Sequence, residues 1–493
     1  MAFELTTELT IKLNISIPIM FRKNLFLVLC LFCSQFAFAQ EQWSIQQCID
    51  YAIKNNVQLK ISALSLQTNE ANLEQSKMAR LPNLNASGSQ RWNFGRTIDP
   101  TTNQFTTDPV RSNFFQVASS TTVFAGGRIN NSIEQNKTIL EASKFDVKKA
   151  SNDLTLNIIN AYIQIVFNKE LLQTAKLQLG NTGEQLDRTN KLIEAGTLPE
   201  INKYDIISQQ ANDELRVAQA ENSLSLSFLR LKQLLQLTEE QNLDIISPQI
   251  AEPNQEMVSM SSADIFMAAV ANMPEVRSAD LNIQSANLGV KIAEALLLPT
   301  LSFDLNMQSN YSSLGAARRI IDGKFDTYPI GFLSDNPSQI VSTQTQASVV
   351  EKTGFGSQIS SNLTQGAGFS LNIPIFNRYQ NKTQIANAKI QRERTGLNAQ
   401  AVRNQLRQNI EQAYVDAKAA SKSFYANKIR VEALENSLKA AEQRLTLGSG
   451  NSTDYAIAKN NFNVAQSDLL RAKFNYLFTL KVLDFYAGKE LKL

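Results

Sequence analysis

The chain has 493 residues and is close to neutral, with 48 Lys plus Arg against 45 Asp plus Glu; the charges are interspersed, so no basic tract points to nucleic acid. It contains no His, which removes the commonest general base and the commonest zinc ligand together, and no catalytic, cofactor or metal site is predicted. Its 19 Gly and 12 Pro are too few for a conventional porin of many strands and turns.

At the amino terminus, Phe21, Arg22 and Lys23 precede an apolar run at 25–32, and Ala37-Phe38-Ala39 supplies a small-x-small site before Gln40. This is the layout of a cleaved secretory signal, assigned to residues 1–39 with Met20 as a possible start. The run is shorter than the ~20 residues a spanning helix needs. Cys30 and Cys33 fall inside the signal and neither follows the small residue of a lipoprotein processing site, so no lipid anchor is expected. Cys48 then stands alone in the mature chain, which rules out an intramolecular disulfide and reads as a packed thiol.

The mature sequence is written twice. Ser44 with Gln47 opens a first helix as a capping box, and Ser261 with Asp264 repeats that opening 217 residues later. The same offset carries Ala52 to Ala269, Asn55 to Asn272 and Leu81-Pro82 to Leu298-Pro299, so a helix of some 36 residues is expected to run into a strand in each copy. Farther on the offset becomes 252, pairing Phe124 with Phe376, Ala161-Tyr162 with Ala413-Tyr414 and Gly196 with Gly448. The extra 35 residues lie in the second copy, where 312–358 reads as a long solvent loop against a short one at 95–111. The copies span 40–237 and 261–493, joined by a linker at 238–260 that contains Pro248 and Pro253.

Four segments alternate apolar and polar residues with the period of a strand: 84–94, 112–124, 299–311 and 366–376. In the third, Leu301, Phe303, Leu305 and Met307 alternate with Ser302, Asp304, Asn306 and Gln308, a pattern that suits lipid on one face and water on the other. Trp92, Phe94, Phe114 and Phe115 near the strand ends read as an interfacial aromatic belt.

From 128 to 195 no Pro intervenes, and Leu154, Ile158, Ala161 and Ile165 keep helical spacing; the copy runs from 383 to 447. A helix of this length would reach on the order of 100 Å, so it must bundle lengthwise. Gly180 and Gly183 read as possible kinks. Each long helix ends in a turn, 192–199 or 445–452, and returns as a helix at about 201–237 or 453–487. Four strands cannot close a spanning sheet, so two, three or four chains would have to share 8, 12 or 16 strands.

The doubled plan, the Leu-Pro after each first helix, Phe124-Ala125-Gly126-Gly127-Arg128 leaving the second strand, and the turn from Leu192 through Gly196 to Pro199 resemble the TolC family of outer membrane efflux proteins. The resemblance covers essentially the whole mature chain. It implies a mainly α fold with a transmembrane β-barrel contribution, in which two tandem helix-strand-strand-helix repeats give each chain four strands of a shared 12-stranded trimeric barrel. It also implies an α-helical tunnel, a location in the outer membrane of a Gram-negative bacterium, and a passive exit duct for efflux or type I secretion. The implied partners are two further copies, a periplasmic adaptor, an inner-membrane pump and outer membrane lipid.

By the same resemblance, Gly196, Thr197, Leu198, Gly448, Ser449 and Asn451 would meet the adaptor at the helix turns. Asp454, six residues beyond Gly448, would form an acidic ring at the pore constriction, against the plainer reading of a capping carboxylate. The first copy has Asn202 at the matching place, and Ile457 stands where some relatives have a further acid. The second copy also departs from the glycine pair, having Asn377-Arg378-Tyr379 where the first has Ala125-Gly126-Gly127. A competing reading is a structural or adhesive coiled-coil protein of the envelope. A secreted enzyme would need a catalytic constellation that a His-free chain does not show.

Overall fold

The computed structural model describes residues 42–101, 103, 105–238, 243–247, 260–315, 317–447 and 449–489. The predicted signal at 1–39, most of the 238–260 linker and Gly448 lie outside the described residues. In chain order the first repeat comprises β1 (Gln42–Trp43), α1 (Ile45–Asn55), α2 (Val57–Met78), β2 (Asn83–Asn93), β3 (Thr97–Ile98), β4 (Phe105–Thr106), β5 (Val110–Phe124), α3 (Arg128–Glu194) and α4 (Ile201–Leu235). Then follow β6 (Asp244–Ile245), α5 (Ser262–Asn272), α6 (Pro274–Glu294), β7 (Thr300–Ser312), β8 (Ala317–Leu333), β9 (Asn336–Lys352), α7 (Phe355–Ser361), β10 (Thr364–Asn372), α8 (Gln380–Thr446) and α9 (Ser452–Tyr486).

The duplication holds to the residue in several elements. α1 and α5 are 11 residues each at the 217 offset, and α3 and α8 are 67 residues each at the 252 offset. α3 is continuous helix through Gly180 and Gly183, and a Cβ at either would meet nothing within 4 Å, so neither glycine is demanded by a close approach.

Three expectations are corrected. The single 36-residue helix opening each repeat is two helices, broken at Asn56 (φ −59°, ψ 126°) and at Met273 (φ −73°, ψ 128°). Met273 precedes Pro274, which disfavours the helical conformation in the residue before it; Asn56 instead caps α2, its side-chain oxygen accepting from the Leu59 amide at 3.1 Å. The stretch 312–358 is not a loop but largely the antiparallel ribbon β8–β9, and the shorter connection at 95–111 holds the small pair β3–β4. The last strand of the four-stranded sheet stops at Asn372 rather than 376, two residues short of Pro374, which has no amide to give a ladder.

The chain forms two compact units, and both 67-residue helices contribute to each. The first holds residues 1–60, 150–269 and 408–493. Along α3 the buried residues Leu154, Ala161, Asn168, Ala175, Thr182 and Thr189 recur every seven positions, and along α4 Ile206, Asp213, Ala220 and Ser227 do the same. A strict seven-residue repeat keeps one seam facing a partner and winds the helices left-handed. In this unit β1 pairs in parallel with β6, and the hydroxyl of buried Tyr162 on α3 donates to the Ile246 carbonyl at 2.5 Å, with the Trp43 carbonyl 3.2 Å away. Lys169 donates to Asp244 at 2.5 Å and to the Ile245 carbonyl at 3.1 Å, tying the same strand pair to α3. Burial pushes the Asp244 carboxyl up, but hydrogen bonds from Lys169, Gln42 and the Ile245 amide outweigh it and leave it below the usual range.

The second unit holds residues 61–149 and 270–407. Its helices are joined by polar contacts: Ser278 donates to Asp146 at 2.6 Å, Gln135 donates to the Ser285 carbonyl at 3.0 Å, and Arg403 pairs with Asp280. The same unit contains the sheet β10-β7-β5-β2, antiparallel throughout.

Candidate functional site

In the four-stranded sheet, cross-strand pairs sort every side chain onto one of two faces, because residues directly opposite share a face. One face carries Leu84, Ala86, Val117, Phe303, Leu305, Met307, Ala367, Phe369 and Leu371. The other carries Asn83, Asn85, Ser87, Gln116, Ser120, Ser302, Asp304, Asn306, Gln308 and Ser370. On this polar face Ser120 donates to Asp304 at 2.6 Å and Ser302 donates to it at 3.2 Å. The apolar face lies open: Leu84 is 75%, Phe369 69% and Leu371 61% exposed. Of the aromatic residues expected in a belt, Trp92 and Phe115 join the apolar face and Phe94 lies just past β2, whereas Phe114 sits opposite Ser89 and Asn310 on the polar one. Phe114 therefore leaves the belt; neighbouring residues of a strand point opposite ways.

Both outer strands, β2 and β10, have an unpaired edge among the described residues. They run antiparallel to one another, since three antiparallel steps separate them. No described helix is long and apolar enough to cross a membrane. The described part of the chain likewise shows no cluster of three or more His, Cys, Asp or Glu placed to hold a metal ion.

The two helix turns are built alike. After α3, the amide of Gly196 (φ +71°) donates to the Ile193 carbonyl at 2.8 Å and the amide of Thr197 donates to the Leu192 carbonyl at 2.9 Å, the paired bonds of a Schellman cap that needs a left-handed residue. The Thr197 hydroxyl also donates to Leu192 O at 2.8 Å. In the second repeat the Ser449 amide and hydroxyl donate to the Arg444 carbonyl at 3.0 and 3.3 Å, the same bonds at the 252 offset. Gly196, Thr197, Ser449, Asn451 and Asp454 are exposed and Leu198 is half-buried, while Gly448 lies outside the described residues. Asn451 is the cap of α9, accepting from the Asp454 amide at 2.7 Å; the Asp454 carboxylate is in the first turn and is not the capping group.

Thr197 and Leu198 from the first turn, Leu445 and Thr446 at the second, and Tyr455 of α9 line one cleft of about 1240 Å³ within the helical unit. Asp454, Gly196, Ser449 and Asn451 do not line it. Burial raises the Tyr455 hydroxyl above its ordinary value, with Glu442 adding to the rise and Arg188 opposing it.

Sequence reading missed a buried polar node beside this cleft. Lys459 of α9 donates to Thr182 of α3 at 3.1 Å, Thr182 donates to Asp213 of α4 at 2.7 Å, and Gln209 donates to the other Asp213 oxygen at 2.9 Å. Thr182 and Asp213 are 0% and 1% exposed and Lys459 7%. Burial lowers the Lys459 ammonium, against the raising influence of Asp213 and then Glu442. The signal was present in the sequence as an acid inside the seven-residue seam of α4.

The outer membrane efflux protein family model matches residues 48–236 and 267–489, most of both repeats. The chain belongs to that family. The efflux protein is 20% identical to outer membrane efflux protein BepC of Brucella suis biovar 1 (strain 1330) over 422 residues, which is 86% of this chain and 80% of that protein. Its fold resembles the solved outer membrane protein VceC of Vibrio cholerae, with a TM-score of 0.69 at 14% identity over 91% of this chain and 97% of that one. It also resembles the CmeC outer membrane channel of Campylobacter jejuni, with a TM-score of 0.68 at 17% identity over 91% and 87%.

The efflux protein is thus an outer-membrane channel of a Gram-negative cell, passive rather than enzymatic, of a family that works with a periplasmic adaptor and an inner-membrane pump. The structural or adhesive envelope reading is not favoured.

Proposed function

We propose that three copies close a 12-stranded barrel, β2 of each pairing antiparallel with β10 of the next, and that the apolar faces meet lipid while the polar faces line water. The observation that carries this is the amphipathic sheet with two open edges. In hydrocarbon an open edge leaves its amides and carbonyls without partners, so a spanning sheet must close. The antiparallel relation of β2 and β10 fits closure in an all-antiparallel barrel. The choice of three copies comes from the resemblance to the family.

In this reading residues 1–39 direct export and are removed. The turns carrying Gly196, Thr197, Leu198, Gly448, Ser449 and Asn451 receive the adaptor's hairpin tips, and the cleft shared by Thr197, Leu198 and Tyr455 gives an adaptor side chain somewhere to seat. Asp454 is exposed and is not itself the cap, which favours its place in an acidic ring when three copies meet at the tip.

The test is single-channel conductance of the purified mature protein in planar bilayers. A heat-modifiable trimer with cation-selective current, made less selective by Asp454→Ala, supports the whole reading. Unchanged selectivity in Asp454→Ala removes the acidic ring and keeps the duct. A folded oligomer without conductance defeats the duct.

A further inference from the structure

Two side chains that line the cleft of the helical unit are almost wholly buried, Gln178 of α3 at 7% and Asn463 of α9 at 4% exposed. The side-chain amide nitrogen of each has no hydrogen-bond partner. A buried donor left without an acceptor is costly, so a pair of them in one cleft points to a ligand.

The two amides stand at one level. Lys459 of α9 donates to Thr182 of α3 at 3.1 Å. Fifteen residues back along α3 and fifteen forward along α9, the rings of Phe167 and Phe474 meet with centroids 6.1 Å apart. Equal steps in opposite directions mean that the two helices run antiparallel and stay in register. Gln178 and Asn463 lie four residues along the same two paths, one helical turn from the Lys459 contact, so each helix brings its unpartnered donor to the same height. Lys459 lines the cleft as well, and burial holds its ammonium below the ordinary value in spite of Asp213 and Glu442. Phe424 of α8 and Phe462, Leu469 and Leu470 of α9 give the same cleft an apolar wall.

We propose that this cleft binds a small amphiphile with an acidic head, whose two oxygens accept from the Gln178 and Asn463 amides while its apolar body lies along Phe462, Leu469 and Leu470. An ionised carboxylate is an acceptor only and has two oxygens, which matches one donor from each helix. Its charge also answers the Lys459 ammonium, one turn away and out of water. A neutral alcohol of the same size has one oxygen and no charge, and would leave one donor unpaired. The cleft, at about 1240 Å³, is larger than the ~300–1,000 Å³ of a pocket that holds a drug-sized molecule, so the apolar body has room. Gln178 precedes Leu192 of the first turn by fourteen residues, about 20 Å of helix, so the site is separate from the turn end assigned to the adaptor and does not depend on that assignment.

The experiment titrates 4-phenylbutanoate into the full protein in a neutral maltoside detergent, with detergent alone as the blank, and reads the heat; 4-phenylbutanol is the comparison. Saturable binding of the acid is expected, with the alcohol weaker by roughly tenfold or more, since charge-assisted hydrogen bonds are lost. Gln178→Glu keeps the size of the side chain and turns the donor into an acid, and should weaken the carboxylate by a similar factor. Gln178→Leu with Asn463→Leu should do the same while melting no lower than the parent, because it removes only unpartnered polar groups. The acid should raise the melting temperature of the parent and of neither variant. No saturable heat, equal binding of acid and alcohol, or binding indifferent to both variants overturns the proposal. A Gln178→Leu protein that loses stability, regained in the double variant with no binding of the acid to the parent, also overturns it and means that the two amides bond each other. Conductance of the same samples keeps the readings apart: a conducting protein that ignores the acid defeats this inference alone, and a silent one that binds it defeats the duct alone.

Discussion

Gly126 and Arg378 occupy equivalent places in the two repeats, 252 residues apart, and both are left-handed, with φ of +60° and +54°. The next pair, Gly127 and Tyr379, matches as well, at +81° and +66°. The backbone leaving the second strand of each repeat's sheet hairpin thus keeps one conformation although only the first repeat has the glycines that adopt it without strain. At Gly126 there is a second demand: a Cβ would lie 2.6 Å from Leu298 Cδ1. Gly126→Ala should therefore destabilise by about 2–4 kcal/mol, combining left-handed strain with overpacking. Arg378→Gly should stabilise by up to about 1 kcal/mol. Thermal loss of helical circular dichroism in detergent ranks the two variants against the parent, and a Gly126→Ala protein as stable as Arg378→Gly would contradict this account.

Asp213 compensates a buried ammonium. Removing it alone, as Asp213→Ala, leaves Lys459 with only the weaker influence of Glu442 and should cost about 3–5 kcal/mol, whereas Asp213→Leu with Lys459→Met should lie much closer to the parent. The pH dependence has a definite sign. Lys459 is lowered in the folded chain from an ordinary 10.5, so between its folded value and 10.5 the unfolded chain binds more protons and stability rises with pH. Losing Asp213 lowers the folded value further and should start that rise at lower pH. Denaturant titrations at several pH values measure it.

Cys48 is 0% exposed, and burial pushes its thiol up to about 12 from 9.0. Its contribution to stability is complete below about 9 and is lost as pH climbs toward 12, because the unfolded thiol ionises first. Iodoacetamide near neutral pH should label the denatured chain and spare the native one. Rapid native labelling would show an accessible thiol.

Tyr162→Phe removes the hydroxyl that donates to the Ile246 carbonyl and lies 3.2 Å from that of Trp43. The loss should be about 1–2 kcal/mol, since the Ile246 carbonyl loses its donor while the Trp43 carbonyl keeps the Ile246 amide at 3.2 Å. Amide hydrogen exchange should accelerate at β1 and β6 while α8 and α9 keep their protection. Uniform acceleration would mean that the clamp is global rather than local.

Much of this fold can be read in one dimension. Alternation in Leu301 to Met307 placed the apolar face of a strand, and the absence of proline beyond Arg128 predicted an uninterrupted helix, because both patterns depend on local periodicity. Repeat offsets found the turns, and Thr197 with Ser449 proved to make the same cap. The helix break at Met273 was also legible in Pro274, but its twin at Asn56 was not, since there a side chain rather than a ring ends the helix.

The ribbon and the buried node lie beyond local reading. The Ser, Thr and Gln of β9 suit a loop or an exposed strand equally well, and only pairing with β8 selects the strand. Likewise Lys459, Thr182 and Asp213 are far apart in sequence: the acid inside the seven-residue seam of α4 hints at a buried charge, but only the packing of three helices shows which partners meet it out of water. By itself the sequence determined the duplicated plan, the amphipathic strands and the reach of the two long helices, which follow from the chain's own periodicity. Only the tertiary structure decided which edges stay open and which charges are buried, because both depend on residues that meet across the fold.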